Sequence, residues 1–343
     1  MPTPHVFVVN ERTFPLHLRY RFAGTTPGSR RKVERHIRLL ADIARTRPGD
    51  PVLFYLQGHG FYGIFRIAEE PSYPFWEPPD GYLQKKLGLP LIYRVRICPF
   101  EVYPRPITEW EAIDRLPVYS RDIRWSLLYR KLRGERGCSY LFPHEFESMR
   151  ALFQAANPEG PLCDENENSC LDWENGQIRV DRGTPAPPYT GQLKPPLDHI
   201  QVRQGEAHLQ AWLTWHIGRD RQLDDLVGQP RWFANEVYAG TGMQRMDLLT
   251  IERENSYRRF RIIELKATRT EKGEVEQIRR YIWWVREYVA NQEDRIRPIW
   301  ISKGFSEGAI EALQKIAKEE NCEPPEIWNW EPRGNRPLFE RLK

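Results

Sequence analysis

Met246-Asp247-Leu248-Leu249 and, further on, Ile262-Ile263-Glu264-Leu265-Lys266 decide the fold of the C-terminal half of this chain. Both are short apolar runs separated by the polar stretch Glu252–Tyr257, so they predict two strands, Arg245–Ile251 and Arg258–Lys266, joined by a turn. Side chains alternate along a strand, which puts Glu264 and Lys266 on one face and Leu265 in the core. Asp247, on the neighbouring strand, can meet Glu264 across the pair. Two carboxylates at one sheet end suit Mg²⁺ (or Mn²⁺), which keeps waters for substrate oxygens, and the Leu265 carbonyl could add a ligand. Lys266 would then orient or deprotonate a metal-bound water and stabilise developing phosphate charge. Such a set is suited to in-line hydrolysis of a phosphodiester.

Outward from this pair, Leu209, Trp212, Leu213 and His216 share one face of a helix predicted over Glu206–Ile217. A long helix follows over Glu274–Asn291, then a strand over Arg297–Ser302. The order α, β, β, α, β predicts an α/β core with a partly parallel sheet. In the long helix Val275, Ile278, Ile282, Val285 and Val289 form a core stripe. Gln277, Tyr281, Trp284 and Tyr288 form a second one, and its polar start is better explained by a site than by packing.

The pattern Asp247…Glu264-Leu265-Lys266…Gln277-x-x-x-Tyr281 resembles the PD-(D/E)XK nuclease superfamily, most closely its RecB-like, NucS-containing branch. The resemblance covers roughly residues 200–300 and includes the GEAHLQAWLTWHI helix and Asn235-Glu236-Val237 as opening motifs. It implies a restriction-endonuclease-like α/β core in which Asp247 and Glu264 bind metal and Lys266 is catalytic. Gln277, Tyr281 and Glu236 complete the site by the same carry-over, while Glu206 is expected as a helix-surface residue. Met246 stands where the family usually has Pro.

The first 155 residues read as mixed α/β. Val6–Val9, Pro51–Gln57, Phe61–Ile67 and Leu91–Ile97 are strand-like, and Gln57-Gly58-His59-Gly60 signals a hairpin. Val33, Ile37, Leu40 and Ala44 repeat at helical spacing, and Pro143 stands where a helix can start. The stretch from Asp50 to Glu70 resembles the central strands of the YTH/EVE class of PUA-like folds, a barrel-like mixed α/β domain. That resemblance implies an aromatic cage for a flipped, modified base. Phe22 falls where the first cage residue would (usually Trp), Trp76 where the loop tryptophan would, and Tyr73 lies in the same aromatic, proline-rich loop. Stacking on such aromatics is worth roughly 1–3 kcal/mol per base. Arg121, Arg124, Arg130, Lys131, Arg133 and Arg136 form the best candidate stripe for DNA phosphates.

Residues 156–198 contain seven prolines and an acidic patch, and they predict a spacer with one short strand around Gln177–Val180. The expected organisation is therefore a nucleic-acid-binding domain over 1–155, a linker over 156–198 and a nuclease domain over 199–343. Charge follows that division. Residues 1–155 carry 24 Lys+Arg against 16 Asp+Glu, whereas residues 156–198 carry 3 against 8. A basic first half favours a polyanionic partner.

Other function classes lack their residues. No apolar run reaches the ~18 residues of a membrane helix. The N-terminus reads as having no signal peptide, and five scattered cysteines without a CxxC fit reduced thiols in a cytoplasm. The histidines make no HExxH, Cys163 and Cys170 lack His partners, and no Walker A, GxGxxG or Gly-x-Ser-x-Gly motif occurs, so zinc, NTP and serine-hydrolase chemistry are not expected. Three readings stay open: a modification-dependent DNA endonuclease acting on double-stranded DNA, a mismatch- or structure-specific nuclease, and a non-catalytic reader. One such site cuts one strand, so a homodimer is expected for double-strand breaks.

Overall fold

The computed structural model describes residues 2–26, 33–70, 74–76, 82–119, 131–132, 136–162, 168–181, 205–239 and 244–342. The chain divides into two compact units, Met1–Leu197 and Asp198–Lys343. Both are mixed α/β, the class expected from the sequence.

In the first unit the strands are β1 (His5–Val9), β2 (Phe22–Thr25), β3 (Pro51–Leu56), β4 (Gly60–Ile67), β5 (Phe75–Trp76), β6 (Tyr93–Pro99), β7 (Ile107–Thr108) and β8 (Cys138–Tyr140). They form a curled half-barrel sheet ordered β2-β6-β4-β3-β1-β8, with β5 on β6 and β7 on β4. The pair β1–β3 is parallel and the remaining pairs are antiparallel. Its helices are α1 (Phe14–Tyr20), α2 (Val33–Ala44), α3 (Tyr82–Leu87), α4 (Glu109–Tyr119) and α5 (Pro143–Ala156).

Strand alternation sorts the two faces of this sheet. Phe7 and Phe54 turn to one side, where Phe14 packs 5.4 Å from the Phe54 ring. Val6 and Leu53 turn to the other, into a core with Ile64, Leu116, Met149 and Phe153 from the strands and helices around them. The expected hairpin is present: Gly58 takes φ 80° in the turn between β3 and β4, a conformation that glycine enters without a Cβ clash. Gly60 must also be glycine, because a Cβ there would stand 2.2 Å from the Ile107 carbonyl oxygen.

The proline-rich segment contains more structure than the single predicted strand. Strands β9 (Asn168–Asp172) and β10 (Gln177–Asp181) pair as an antiparallel hairpin. The Ile178 N–H donates to the Pro104 carbonyl at 2.9 Å, and the Tyr62 hydroxyl donates to the Gly176 carbonyl at 3.1 Å. Ile178 is buried, so this hairpin is part of the first unit.

The second unit comprises α6 (Glu206–His216), α7 (Asp224–Val227), β11 (Trp232–Tyr238), β12 (Arg245–Arg253), β13 (Arg258–Leu265), α8 (Gln277–Tyr288), β14 (Arg295–Ser302), α9 (Glu307–Glu319), β15 (Glu326–Arg333) and β16 (Arg336–Arg341). The six strands lie in sequence order in one sheet. The pairs β13–β14 and β14–β15 are parallel and the others antiparallel. Each parallel pair is connected through a helix, α8 and α9 in turn, as parallel pairing requires. The predicted core stripe of α8 is buried at all of Val275, Ile278, Ile282, Val285 and Val289. A single 3-10 turn over Lys272–Glu274 precedes α8, which starts at Gln277 and not at Glu274. No helix among the described residues is long and apolar enough to cross a membrane.

Candidate active site

The register of β12 on β13 pairs Leu248 with Ile263, and one step toward the strand ends lie Asp247 and Glu264. Leu265 is buried in the core, as alternation requires. The backbone after β13 is pinned on both sides. The Lys266 N–H donates to Ile301 at 2.8 Å, and the Trp330 indole N–H donates to the Lys266 carbonyl at 2.9 Å.

Side-chain contacts connect nearly all of the predicted residues of this half. Lys266 Nζ donates to Glu264 Oε1 at 2.9 Å, and Gln277 Nε2 donates to the same oxygen. Asp247 Oδ2 accepts the Leu265 N–H at 2.8 Å. The Tyr281 hydroxyl donates to the Arg245 carbonyl at 2.8 Å, two residues from Asp247, which docks α8 against the start of β12. Glu236 Oε2 accepts from Arg245 Nη1 at 3.0 Å, and its Oε1 accepts from Gln210 Nε2 at 3.2 Å.

Two members of this group were not singled out from the sequence. Gln210 is 1% exposed, and its Nε2 also donates to the Asp247 carbonyl at 3.0 Å. A polar amide on the buried face of an otherwise apolar helix was the signal available for it. Arg245 stands one residue before Met246 and holds Glu236. Glu206, expected on the helix surface, has its charge felt by Asp247, Glu264 and Lys266.

Burial sets the electrostatics. Asp247 is 8% exposed and Glu264 4%. Burial raises the Glu264 carboxyl to about 7, against the opposing pull of Lys266. Asp247 is raised well above the usual carboxylate range, by burial first and then by the charges of Glu264 and Glu206. Burial lowers Lys266, but the Glu264 carboxylate outweighs it and holds the ammonium above its ordinary value. Glu264 Oε2 is buried and has no hydrogen-bond partner among the described residues. Glu236 takes φ 52° within a strand, a left-handed conformation costing of order 1–3 kcal/mol for a non-glycine residue.

The N-terminal candidates fare differently. Phe22 is 2% exposed. It stacks on His17 at 4.4 Å and lies beneath the Arg94 guanidinium at 4.9 Å. It is a core residue packed with Leu83, Leu87 and Leu91, which corrects its assignment to an open cage. Lys131 is also corrected: its side chain is fully buried, ion-paired to Glu145 and 4.3 Å over the Tyr140 ring, so it faces no phosphate. Arg136 makes a two-pronged contact with Asp42, both bonds at 2.7 Å. Trp76 lies on β5 opposite Tyr93, but its side chain lies outside the described residues. Tyr73, Arg121, Arg124, Arg130 and Arg133 lie outside them as well.

No protein-family model matches the chain, and no curated protein does. Among solved structures the chain is similar to a Pseudomonas putida protein, 13% identical, over 43% of this chain and 98% of that one, with a TM-score of 0.31. It is similar to human THYN1 in complex with 5-methylcytosine-containing DNA, 10% identical, over 44% and 98%, with a TM-score of 0.31. It is also similar to the restriction endonuclease FokI bound to DNA, 10% identical, over 58% and 47%, with a TM-score of 0.25.

Proposed function

We propose that this protein is a metal-dependent DNA endonuclease whose second unit hydrolyses phosphodiesters at Asp247, Glu264 and Lys266. The observation that carries this reading is the buried, unpartnered Glu264 Oε2 beside a second buried carboxylate. A buried anionic oxygen without a partner is costly in a protein that has no use for it. Among the described residues no three His, Cys, Asp or Glu side chains group closely enough to enclose an ion. Two carboxylates and a main-chain carbonyl fit Mg²⁺ or Mn²⁺, which are commonly held by few protein ligands and substrate phosphate.

Asp247, Glu264 and the Leu265 carbonyl would hold the cation. When bound, it supplies Lewis-acid activation of a water and of the phosphate. Lys266 presents its ammonium to the reacting phosphate, where it stabilises added negative charge and orients the attacking water. Gln277 fixes the Glu264 carboxylate, and Gln210 with Arg245 fixes Glu236 beside Asp247. Tyr281, bound to the backbone at Arg245, keeps α8 in register with the strands. The first unit delivers DNA to this site, and the reading includes recognition of a modified base by that unit.

Supercoiled plasmids with and without 5-methylcytosine, incubated with Mg²⁺, Mn²⁺ or a chelator, test the whole reading. Cation-dependent nicking or linearisation, stronger on modified plasmid, is the expected result. Equal cleavage of both plasmids removes the modified-base reader from the account. Failure to cleave either plasmid with any cation removes the nuclease.

A further inference from the structure

Helix α8 carries three arginines, and their surroundings differ. Arg279 is tied to Glu276, Glu319 and Glu320, the last two at 2.8 Å. Arg286 is tied to Glu320. Arg280 is exposed and has neither an ion pair nor a hydrogen bond among the described residues. It stands one turn beyond Gln277, and helical side chains lean toward their own N-terminus, the end of α8 at which Gln277 bonds Glu264; its charge is felt by Tyr281. Trp283 follows at i+3, 53% exposed, with Tyr288 edge-on at 6.1 Å and itself 44% exposed. Residues three apart on a helix are neighbours. An unneutralised cation and an uncovered indole thus form one ridge that begins beside the site.

We propose that this ridge holds an unpaired segment of the DNA strand next to the bond being cut, with a phosphate on Arg280 and a base on Trp283. The inference rests on the nuclease reading and narrows its substrate class. Two features identify the occupant. A bare guanidinium matches the fork of phosphate oxygens, and a flat exposed indole matches the face of a base. Bases within a duplex are already stacked on their neighbours and cost a few kcal/mol to extrude, so unpaired DNA supplies a base to Trp283 at the lowest cost.

Binding can be measured without cleavage, in full-length protein carrying Lys266→Ala. The probes are a fluorescein-labelled two-strand DNA duplex with a single-stranded tail and the same duplex with blunt ends. Added Trp283→Ala is expected to weaken binding of the tailed probe about tenfold or more and to leave the blunt probe unchanged. Added Arg280→Ala is expected to weaken the tailed probe and to lower the slope of log affinity against log salt by about 1, with Arg280→Lys restoring most of it. Arg286→Ala, already tied to Glu320, serves as the control and should change neither. Both ridge residues are solvent-facing, and unchanged melting temperatures verify that the variants fold.

Equal loss on both probes, or no loss on either, overturns the ridge even if the wild-type protein cuts DNA. A changed oligomeric state of Trp283→Ala in light scattering, with probe binding intact, overturns it in favour of a contact between copies. Selective loss on the tailed probe in a protein that cuts no DNA upholds the ridge and discards the hydrolysis reading.

Discussion

The Leu265 N–H donates to Asp247 Oδ2 at 2.8 Å, so a carboxylate from one strand holds the backbone between Glu264 and Lys266 on the next. The acidic pair and the lysine therefore move as one piece. The bond leaves Asp247 Oδ1 and Glu264 Oε2 as the oxygens least satisfied by protein, since Gln210 Nε2 reaches Oδ1 only at 3.5 Å.

Cation binding should accordingly be readable as stability. Mg²⁺ or Mn²⁺ is expected to raise the melting temperature of the wild-type protein, with a gain of about 1.4 kcal/mol at ten times the dissociation constant. Asp247→Asn and Glu264→Gln should melt higher than wild type in chelator, because each removes a buried charge, and should lose the cation-induced rise. A wild-type melting temperature that ignores both cations would contradict the proposed ligand set.

Removing the ammonium should separate binding from turnover. Lys266→Ala is expected to lose at least about 10²-fold in cleavage rate, with gel-shift affinity for plasmid fragments unchanged. Gln277→Ala leaves the Lys266–Glu264 contact in place and should lose less, about tenfold. Near-normal turnover in Lys266→Ala would place the active site elsewhere.

The buried pair in the first unit leads to a different outcome. Lys131→Ala leaves the Glu145 side chain buried and without its partner, and breaking a buried pair from one side typically costs about 3–5 kcal/mol. Urea unfolding should show that loss, whereas Lys131→Met combined with Glu145→Leu should recover much of it. Salt-dependent DNA binding of the folded double variant should match wild type, because Lys131 faces the core and not solvent.

Acid should weaken the first unit through His17. Its Nδ1–H donates to the Phe22 carbonyl at 2.9 Å, and burial, with the Arg94 charge assisting, lowers its pKa to about 3. The unfolded chain takes up a proton near pH 6.5 while the folded chain does not, so stability falls as pH drops from 6.5 toward 3. The slope is at most about 1.4 kcal/mol per pH unit. His17→Phe should reduce that slope in urea titrations between pH 6.5 and 5. It should not abolish it, because burial lowers His5 in the same direction.

What could be read from residues alone was mostly local. The β12–β13 hairpin and the α8 stripe were legible because alternation and helical spacing put Glu264, Lys266 and Gln277 on computable faces. Strand β11 was not read as a strand, since Trp232–Tyr238 is buried at every position and a strand covered on both faces shows no alternation. Helix α9 and strands β15 and β16 also went unpredicted. Lys131 misled because sequence displays a charge but not its partner, and Glu145 meets it only through the packing of α5. Phe22 misled for the same reason: its neighbours Leu83, Leu87 and Leu91 lie far along the chain.

The sheet order bears on how the second unit assembles. Strands β12 and β13 are consecutive in sequence and pair directly, whereas β13 meets β14 only after α8 has crossed the sheet. Hairpins close rapidly and distant pairings slowly. Asp247 and Glu264 are thus expected to come together first in a hydrated hairpin. They are dried later, when α8 docks through Tyr281 and Gln277. The cost of drying two neighbouring carboxyls is therefore expected to fall on the docking of that helix and not on the formation of the strands.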